Sequence, residues 1–311
     1  MTQSASNRLL FASPTTWAEA CFSVPAVRAM LAAGLPVTVL CPVEQEAFWE
    51  TLPGLERIAY GAKTSVKALA AQLAGRFAAA FLWEAGLAAD ACAKANIARR
   101  TGPAGDKALM KRLTDPAAPS VPGPIEHRVR HYLGFVETMG LDTRIARLFE
   151  PVKLDVAPSS GSILLVPDSD FGRSHEWPLD RWEELARTLL EKDAALTVAT
   201  DRPLGRELAG RLGDSAVALA LPAFGNCLPV LAGFERVIAA DGSLPHLASH
   251  VGATCTVLFG PNEPEWKRPL GKRHTVLRRH VECSPCFSPK CAMDLRCQRE
   301  LTVEQVSRAI G

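Results

Sequence analysis

The segment DGSLPH, residues 241–246, groups the side chains best suited to hold a phosphorylated ligand. It follows an apolar run that predicts a strand, and it opens a short helical pattern. Gly242 lets a ligand approach the backbone closely, while Ser243 and the free N–H groups of the first helical turn can hold phosphate. Asp241 can bind a sugar or ribose hydroxyl, and His246 lies one turn inside the helix. The same residues also suit a turn, an N-cap and a packed core histidine, so both interpretations stay open.

Four of the nine cysteines form a second candidate site: Cys283, Cys286, Cys291 and Cys297. Four thiolates can surround one tetrahedral Zn²⁺, although this spacing is tighter than in paired Cys-x2-Cys sites. A structural zinc site, reduced thiols and disulfides therefore all stay open, with disulfides disfavoured in a reducing compartment. In each case we predict that the four lie together, away from the ligand site, and pin the chain before its last helix. The other five cysteines stand in apolar surroundings and are predicted to be buried thiols.

An alternation of apolar runs and helical patterns indicates an α/β protein whose parallel sheets are covered by helices. Residues 8–13 and 37–41 predict strands on either side of a helix from Cys21 to Ala33. The segment 77–83 is apolar but rich in alanine, so strand and helix both stay open there. After a linker-like stretch at 157–162 the same rhythm restarts, which indicates two similar halves.

We therefore predict a first domain at residues 1–155 and a second at residues 156–311. Two helices of the second domain carry capping-box pairs, Asp180 with Glu183 and Thr302 with Gln305. Ligands of open α/β sheets bind outside the carboxyl ends of the strands. The chemistry is thus expected in loops that follow strands and line a cleft between the two domains.

The composition excludes several classes of protein. Hydrophobic residues make up 48% and charged residues 22% of the 311, which are ordinary globular values. Lys and Arg number 35 against 33 Asp and Glu, and aromatic residues are only 6%, so no nucleic-acid partner is expected. The N-terminus has no signal-peptide pattern, and charged residues interrupt the apolar tract at 68–93. We predict a cytoplasmic protein and leave contact with a membrane surface open.

Residues 241–271 resemble the C-terminal signature of glycosyltransferase family 9, the ADP-heptose:lipopolysaccharide heptosyltransferases and their relatives. The residues that match this signature are Asp241, Gly242, Ser243, His246, Phe259, Gly260 and Pro261. The Trp177–Pro178 step before a helix resembles the family's Lys-x-Trp-Pro, and Cys283 with Cys286 resembles its Cys-x2-Cys. The resemblance covers nearly all of residues 160–311 and is weaker over residues 7–150.

This resemblance implies the GT-B fold, two facing Rossmann-like domains with parallel sheets. The domain at 1–155 would bind the acceptor, and the domain at 156–311, with its Cys-rich segment at 283–297, would bind the donor. The implied reaction is inverting transfer of a heptose or related sugar from a nucleotide-sugar, with ADP-heptose expected, to a lipid A–core saccharide of lipopolysaccharide. Family members need no metal for catalysis, so a structural zinc is the one cofactor left open. The expected location is the cytoplasm, and peripheral contact with the cytoplasmic face of the inner membrane stays open.

Inverting transfer needs a base for the acceptor hydroxyl proton and groups that stabilise the leaving diphosphate. Alignment on residues 24–26 places Glu19 where the family has the Asp proposed as base. Glu19 equally suits a first-turn acid that complements the helix dipole, and Glu44 and Glu46 are the fallback candidates. The family's Lys before x-Trp-Pro falls on His175, which would be a weaker and pH-dependent phosphate ligand.

Loops after strands supply further candidates for the diphosphate or the adenosine: Asp168, Ser169, Arg173, Thr200 and Asp201. Lys63 and Lys67 belong to a locally basic region of the first domain that suits a phosphorylated lipid acceptor. In each case the alternative is that the residue lies on a solvated loop or face and binds no ligand.

The replacement of Asp by Glu19 and of Lys by His175 leaves two other functions open. One is a GT-B nucleotide-sugar-binding protein with weakened catalysis, and the other is a nucleotide-sugar epimerase.

Overall fold

The computed structural model describes residues 7–117 and 126–310. The contacts divide these residues into two compact units, and each unit is described by itself. The first unit holds residues 7–117 and 128–149, and the second holds residues 126–127 and 150–310. Within the described ranges no helix is both long enough and apolar enough to span a bilayer.

The first unit is built on a sheet of six parallel strands in the order β3-β2-β1-β4-β5-β6. Its strands are β1 Leu9–Ala12, β2 Val37–Pro42, β3 Glu56–Tyr60, β4 Ala79–Phe81, β5 Arg99–Pro103 and β6 Asp115–Ala117. Its helices are α1 Trp17–Ala32, α2 Glu46–Glu50, α3 Val66–Leu73, α4 Leu87–Lys94, α5 Lys107–Met110 and α6 Val129–Glu137. The ambiguous segment at 77–83 therefore contains a strand.

Helix α1 begins at Trp17, four residues before the predicted start at Cys21. The indole of Trp17 packs edge-on against Phe48 of α2, with ring centroids 6.1 Å apart. This contact joins segments far apart in the sequence, so periodicity alone could not find it. One result is that Glu19 lies in the first turn of α1 and not in a loop.

The second unit repeats the arrangement, with six parallel strands in the order β12-β11-β10-β7-β8-β9. Its strands are β7 Ser159–Val166, β8 Ala195–Ala199, β9 Val217–Leu219, β10 Phe234–Ala240, β11 Thr254–Phe259 and β12 Thr275–Arg278. Its helices are α7 Leu179–Leu190, α8 Pro203–Leu212, α9 Leu228–Ala232, α10 Leu244–His250, α11 Pro264–Lys267, α12 Arg296–Arg299 and α13 Val303–Ile310. The predicted parallel α/β architecture is thus confirmed in both units.

One of the two predicted capping boxes is present and the other is not. Thr302 and Gln305 exchange hydrogen bonds: the Thr302 N–H donates to Gln305 Oε1 at 3.0 Å, and the Gln305 N–H donates to Thr302 Oγ1 at 3.3 Å. The prediction for Asp180 was wrong, because α7 begins one residue earlier with Pro178 as its N-cap. The Asp180 carboxylate instead accepts a hydrogen bond from Arg211.

Each sheet has one point where the strand order reverses beside its first strand. This switch point lies between β1 and β4 in the first unit and between β7 and β10 in the second. Loops at the carboxyl ends of two such strands leave a crevice in which α/β proteins bind ligands. The loops after β7 and β10 are therefore the expected position of a ligand site in the second unit.

The core of the first unit contains a buried histidine, His131 of α6. Its ring lies edge-on to Trp83, Tyr132 and Phe135, and Nδ1 has no hydrogen-bond partner among the described residues. Burial, with the nearby Arg128 charge, lowers the pKa of His131 from 6.5 to about 4. The ring is therefore neutral in the folded chain near pH 7.

The first unit is expected to lose stability as the pH falls from about 6.5 to about 4. In this window the unfolded chain binds a proton that the buried His131 does not accept, so protonation favours unfolding. The loss is up to about 3 kcal/mol, at about 1.4 kcal/mol per pKa unit. Urea midpoints measured at several pH values check this. His131→Phe should flatten the slope, His280→Gln at an exposed site should not, and equal slopes in all three chains would contradict the prediction.

Candidate functional site

Two loops meet at the switch point of the second unit: residues 167–178, the β7 loop, and residues 241–243, the β10 loop. Ser169 Oγ donates to the carbonyl oxygen of Asp241 at 2.5 Å. Ser243 donates twice to Asp170, from its N–H to Oδ1 at 2.7 Å and from its hydroxyl to Oδ2 at 2.6 Å. The structure thus brings together the predicted residues of both loops and adds Asp170, which the sequence did not single out.

Asp241 lies at the centre of a buried polar cluster. Its side chain is fully buried, and Oδ2 accepts hydrogen bonds from His175 Nδ1 at 3.0 Å and from Asn262 Nδ2 at 2.6 Å. Oδ1 is buried as well and has no partner among the described residues. A buried acceptor without a partner is costly, so Oδ1 is suited to accept a hydrogen bond from a hydroxyl that reaches it.

His175, expected to hold phosphate, is only 3% exposed. Its ring lies edge-on to Phe171, with centroids 5.6 Å apart, while Nδ1 contacts Asp241. In this arrangement His175 holds the Asp241 carboxylate through a hydrogen bond. His175 stands where the family pattern has a Lys, so this chain lacks a long, flexible ammonium side chain at that position.

Asp168 holds the start of α8. Its carboxylate accepts from the backbone N–H of Leu204 at 2.9 Å and of Gly205 at 2.7 Å. Beside it lies a cavity of about 400 Å³ between the loops after β7 and β8. Its charged lining consists of the cations Arg173 and Arg202 and the acids Asp168, Glu176 and Glu207. The cavity as a whole is therefore not cationic, and an anionic ligand would have to pair directly with one of the two guanidinium groups.

Two other predicted donor residues, Thr200 and Asp201, directly follow β8. The Thr200 N–H donates to Leu219 at 2.8 Å, which anchors the loop to β9. His246 is 1% exposed, and its pKa is lowered to about 3, chiefly by burial and further by its electrostatic interactions with His127, Lys267 and His274. The structure therefore places His246 in the core as a neutral ring.

In the first unit, the Glu19 carboxylate is held by two side chains of the α6 region. Arg128 donates from Nε to Oε1 at 3.0 Å and from Nη2 to Oε2 at 3.0 Å, and the Tyr132 hydroxyl donates to Oε2 at 2.6 Å. Burial and the Glu19 charge raise the pKa of Tyr132 well above 10, so its hydroxyl keeps its proton. Arg128 Nε also lies 3.3 Å from Oε2, so Oε2 accepts three of these hydrogen bonds and Oε1 accepts one. Among the described residues, the acceptor position that remains for another hydrogen is therefore on Oε1. Sequence reasoning missed both partners, although their spacing of four residues is that of one helix face.

The start of α1 is fixed by a second network, around Gln45. Its Nε2 donates to the carbonyl oxygens of Pro14 and Thr15, at 2.9 and 3.1 Å, and its Oε1 accepts from Ser13 Oγ at 2.6 Å. Trp49 Nε1 donates to the same serine oxygen at 3.0 Å. The loop before Glu19 is therefore rigidly held. The fallback acids Glu44 and Glu46 are exposed.

Four basic residues of the first unit fall into two groups. Lys63 in a loop and Lys67 on α3 are exposed. Arg99 and Arg112 form ion pairs with Asp115 and Asp90. The exposed lysines therefore remain the candidates for an anionic acceptor, and the two arginines serve the fold.

The four clustered cysteines are not joined by disulfides: Cys283 and Cys286 are exposed, Cys291 is partly exposed and Cys297 is buried. Burial, with the other three thiols, raises the pKa of Cys297 to about 11, which indicates that the four lie near one another. Within the described residues no group of three or more His, Cys, Asp or Glu side chains could hold a metal ion. A structural zinc at these four cysteines stays a prediction, and we derive no role for a metal.

The cysteine segment contacts the β7 loop, so it lies nearer to the candidate site than the sequence predicted. Ser174 of the β7 loop donates from Oγ to the carbonyl oxygen of Ser288 at 2.6 Å, and Gln298 Nε2 donates to the Ser174 carbonyl at 3.2 Å. A Cβ on Gly172, whose φ is +111°, would lie 2.7 Å from the carbonyl oxygen of Pro289. The irregular β7 loop needs partners for its backbone groups, and the segment at 283–298 supplies them.

Thiol labelling is expected to separate the cysteines by exposure. Cys283 and Cys286 should react first with a disulfide reagent, whereas Cys41, Cys92 and Cys227 should react only after unfolding, because burial raises their pKa to about 12. A Cys283→Ser/Cys286→Ser chain should lose the fast phase. Elemental analysis that finds one zinc per chain, together with four protected thiols, would contradict this and support the zinc interpretation.

Comparisons with known proteins place this site in context. Part of the chain is 28% identical over 140 residues to lipopolysaccharide heptosyltransferase 1 of Pseudomonas aeruginosa; the aligned part is 44% of this chain and 39% of that relative, so the match spans about two fifths of the relative's length. The structure of Escherichia coli ADP-heptose lipopolysaccharide heptosyltransferase II matches with a TM-score of 0.78 and 18% identity, over 97% of each chain.

A second solved structure, Escherichia coli heptosyltransferase WaaC with ADP-2-deoxy-2-fluoro heptose, matches with a TM-score of 0.70 and 17% identity, over 97% of this chain and 98% of the other. These two likenesses confirm the predicted GT-B fold. The model of glycosyltransferase family 9 (heptosyltransferase) matches residues 132–296. Because this match covers more than half of the 311 residues, the chain belongs to glycosyltransferase family 9.

Proposed function

We propose that this chain is an inverting glycosyltransferase that moves a heptose, or a related sugar, from ADP-heptose to a lipid A–core saccharide of lipopolysaccharide. The observation that carries the proposal is the meeting of the β7 and β10 loops at the switch point of the second unit, around the buried Asp241. The solved relative named with ADP-2-deoxy-2-fluoro heptose supports an ADP-sugar as the donor.

The second unit binds the donor in this proposal. Asp241 Oδ1 accepts a hydrogen bond from a sugar or ribose hydroxyl, and Gly242 and Ser243 lie where a diphosphate approaches the backbone. Arg173 and Arg202 line the neighbouring cavity, beside three acids, and are the groups that would pair with the leaving diphosphate. Stabilisation by fixed cations and N–H donors is the reason we propose that transfer needs no metal.

The first unit supplies the base. Glu19 takes the proton of the acceptor hydroxyl as the hydroxyl oxygen bonds to the anomeric carbon and the bond from that carbon to the diphosphate breaks. Arg128 and Tyr132 fix the carboxylate and leave about one acceptor position for the incoming proton. Lys63 and Lys67 provide an exposed basic surface for the phosphorylated acceptor.

One observation favours a second candidate, a nucleotide-sugar-binding protein with weakened catalysis. His175, at the position of the family's Lys, is buried against Asp241 and adds no exposed cation. The diphosphate would then be held less firmly in the transition state, which lowers the rate of transfer more than the affinity for the donor.

A nucleotide panel followed by a transfer assay tests the proposal. ADP at a hundredfold excess over its Kd should stabilise the purified chain by about 2.7 kcal/mol. UDP, GDP and CMP at the same concentration should stabilise it less. ADP release from ADP-heptose should require a lipid A–core acceptor. Preference for another nucleotide would contradict the donor assignment, and tight ADP-heptose binding without transfer would support the second candidate.

A further inference from the structure

The crevice at the second unit's switch point already contains an anionic group, the Asp170 carboxylate. Its two oxygens accept the N–H and the hydroxyl of Ser243, at 2.7 and 2.6 Å. A Cβ on Gly242 would lie 2.8 Å from Asp170 Oδ1 and 3.3 Å from Ser169 Oγ, so the β7 loop lies closely against the β10 loop here. Together with the bond from Ser169 to Asp241, these contacts join the two loops across the crevice.

A carboxylate and a phosphate compete for the same donors. Both present negatively charged oxygens that accept from N–H and O–H groups, and Ser243 has one N–H and one hydroxyl hydrogen to give. A diphosphate that enters the crevice therefore meets a like charge and finds the donors of Ser243 engaged. Asp241 Oδ1, the acceptor proposed above for a ligand hydroxyl, is buried and lacks a partner among the described residues.

We propose that Asp170 is a charge gate of the donor site: its carboxylate bridges to Ser243 and must leave before a nucleoside diphosphate can bind. This inference rests on the proposed function, since it assigns the diphosphate to the crevice of the second unit. The gate makes affinity depend on ligand charge. An uncharged nucleoside does not compete with the carboxylate, whereas a diphosphate has to displace it.

Titration calorimetry with ADP and adenosine tests the gate on the full chain. Asp170→Asn keeps the shape of the side chain and removes its charge, so ADP affinity should rise about tenfold or more while adenosine affinity stays within about twofold. Asp170→Ala, which removes the bridge entirely, should give at least the same gain. Asp214→Asn, in the exposed turn at residues 213–215, is the matched control and should bind as the parent does.

Ser243→Ala provides a second, coupled readout. In the parent the substitution removes both the bond to the ligand and the bond that holds Asp170 in place. Because these two losses change ADP affinity in opposite directions, the net fall should be smaller than in the Asp170→Asn background. In the Asp170→Asn background the hydroxyl is available to the ligand, and its loss should lower ADP affinity about fivefold or more. A coupling of this sign is not expected if Asp170 merely stabilises the loop.

Each other outcome overturns the gate. Weaker ADP binding by Asp170→Asn would show that the carboxylate helps to hold the ligand. Unchanged ADP binding by a folded Asp170→Asn chain, with the parent binding normally, would remove the gate and leave the proposed function intact. If neither the parent nor either Asp170 variant binds ADP at millimolar concentration, both the gate and the ADP-sugar donor are wrong.

Discussion

The Glu19→Gln variant is expected to transfer sugar about 100- to 10,000-fold more slowly than the parent, the usual effect of losing a general base. Glutamine keeps the length of the side chain but cannot take the acceptor proton. Its amide NH2 also faces Arg128 or Tyr132, both of which donate to the carboxylate in the parent. Donor affinity should be nearly unchanged, because the donor residues lie in the second unit. Initial rates and ADP titrations on the same preparations check both statements.

Three variants serve as controls for Glu19. Tyr132→Phe removes one hydrogen bond from the carboxylate and leaves its charge, so transfer should fall less than about tenfold. Glu44→Gln and Glu46→Gln change the exposed fallback acids and should transfer at the parent rate. A parent rate in Glu19→Gln would remove Glu19 from the mechanism, and a large loss in either fallback variant would move the base there. If the parent and Glu19→Gln are equally inactive and both still bind ADP, the result favours the second candidate, a nucleotide-sugar-binding protein with weakened catalysis.

Features with a local sequence pattern could be predicted. The apolar runs of β7 and β10 and the Thr302–Gln305 capping box depend on neighbours in the chain, and each is present. The start of α7 was misplaced because Asp180 and Glu183 have the right spacing for a capping box, yet Pro178 already has the extended conformation of an N-cap and the helix begins after it. Local pattern thus gave the type and order of elements better than their ends.

The residues of the candidate site also divide into those that a local pattern could predict and those that it could not. Asp241, Gly242 and Ser243 could be singled out because a strand, a small-residue loop and a helix follow one another directly. Asp170 could not, because it meets Ser243 across 73 residues of sequence, and Arg128 reaches Glu19 across 109. Such partners are chosen by the topology of the sheet and by packing, for which a single sequence carries no periodic signal. They also change what the predicted residues can do, since both Ser243 and Glu19 have most of their hydrogen-bonding capacity engaged.

Replacing Asp241 by Leu is expected to destabilise the second unit by about 2–6 kcal/mol. Leucine leaves the buried donors His175 Nδ1 and Asn262 Nδ2 without their acceptor, and each unsatisfied buried donor costs about 1–3 kcal/mol. Urea unfolding measures the loss, with Asp214→Leu at an exposed position as the control. Parent stability in Asp241→Leu would mean that the cluster contributes nothing to the fold.

Asp241→Asn separates the role of this residue in the fold from its role in binding. If its amide oxygen takes the place of Oδ2, both hydrogen bonds are kept, and the amide nitrogen takes the place of Oδ1, which has no partner among the described residues. Stability should therefore fall only by about 1–3 kcal/mol. The oxygen proposed to accept a ligand hydroxyl has become a donor, so ADP-heptose affinity should fall about 10- to 100-fold, the equivalent of about 1.5–3 kcal/mol for a hydrogen bond to a charged group. If only the affinity for ADP-heptose falls, the sugar is the ligand group at Oδ1. If the affinity for ADP falls equally, the ribose is the ligand group there. Parent affinity for both ligands in a folded Asp241→Asn chain would show that the buried carboxylate serves the fold and does not touch the donor.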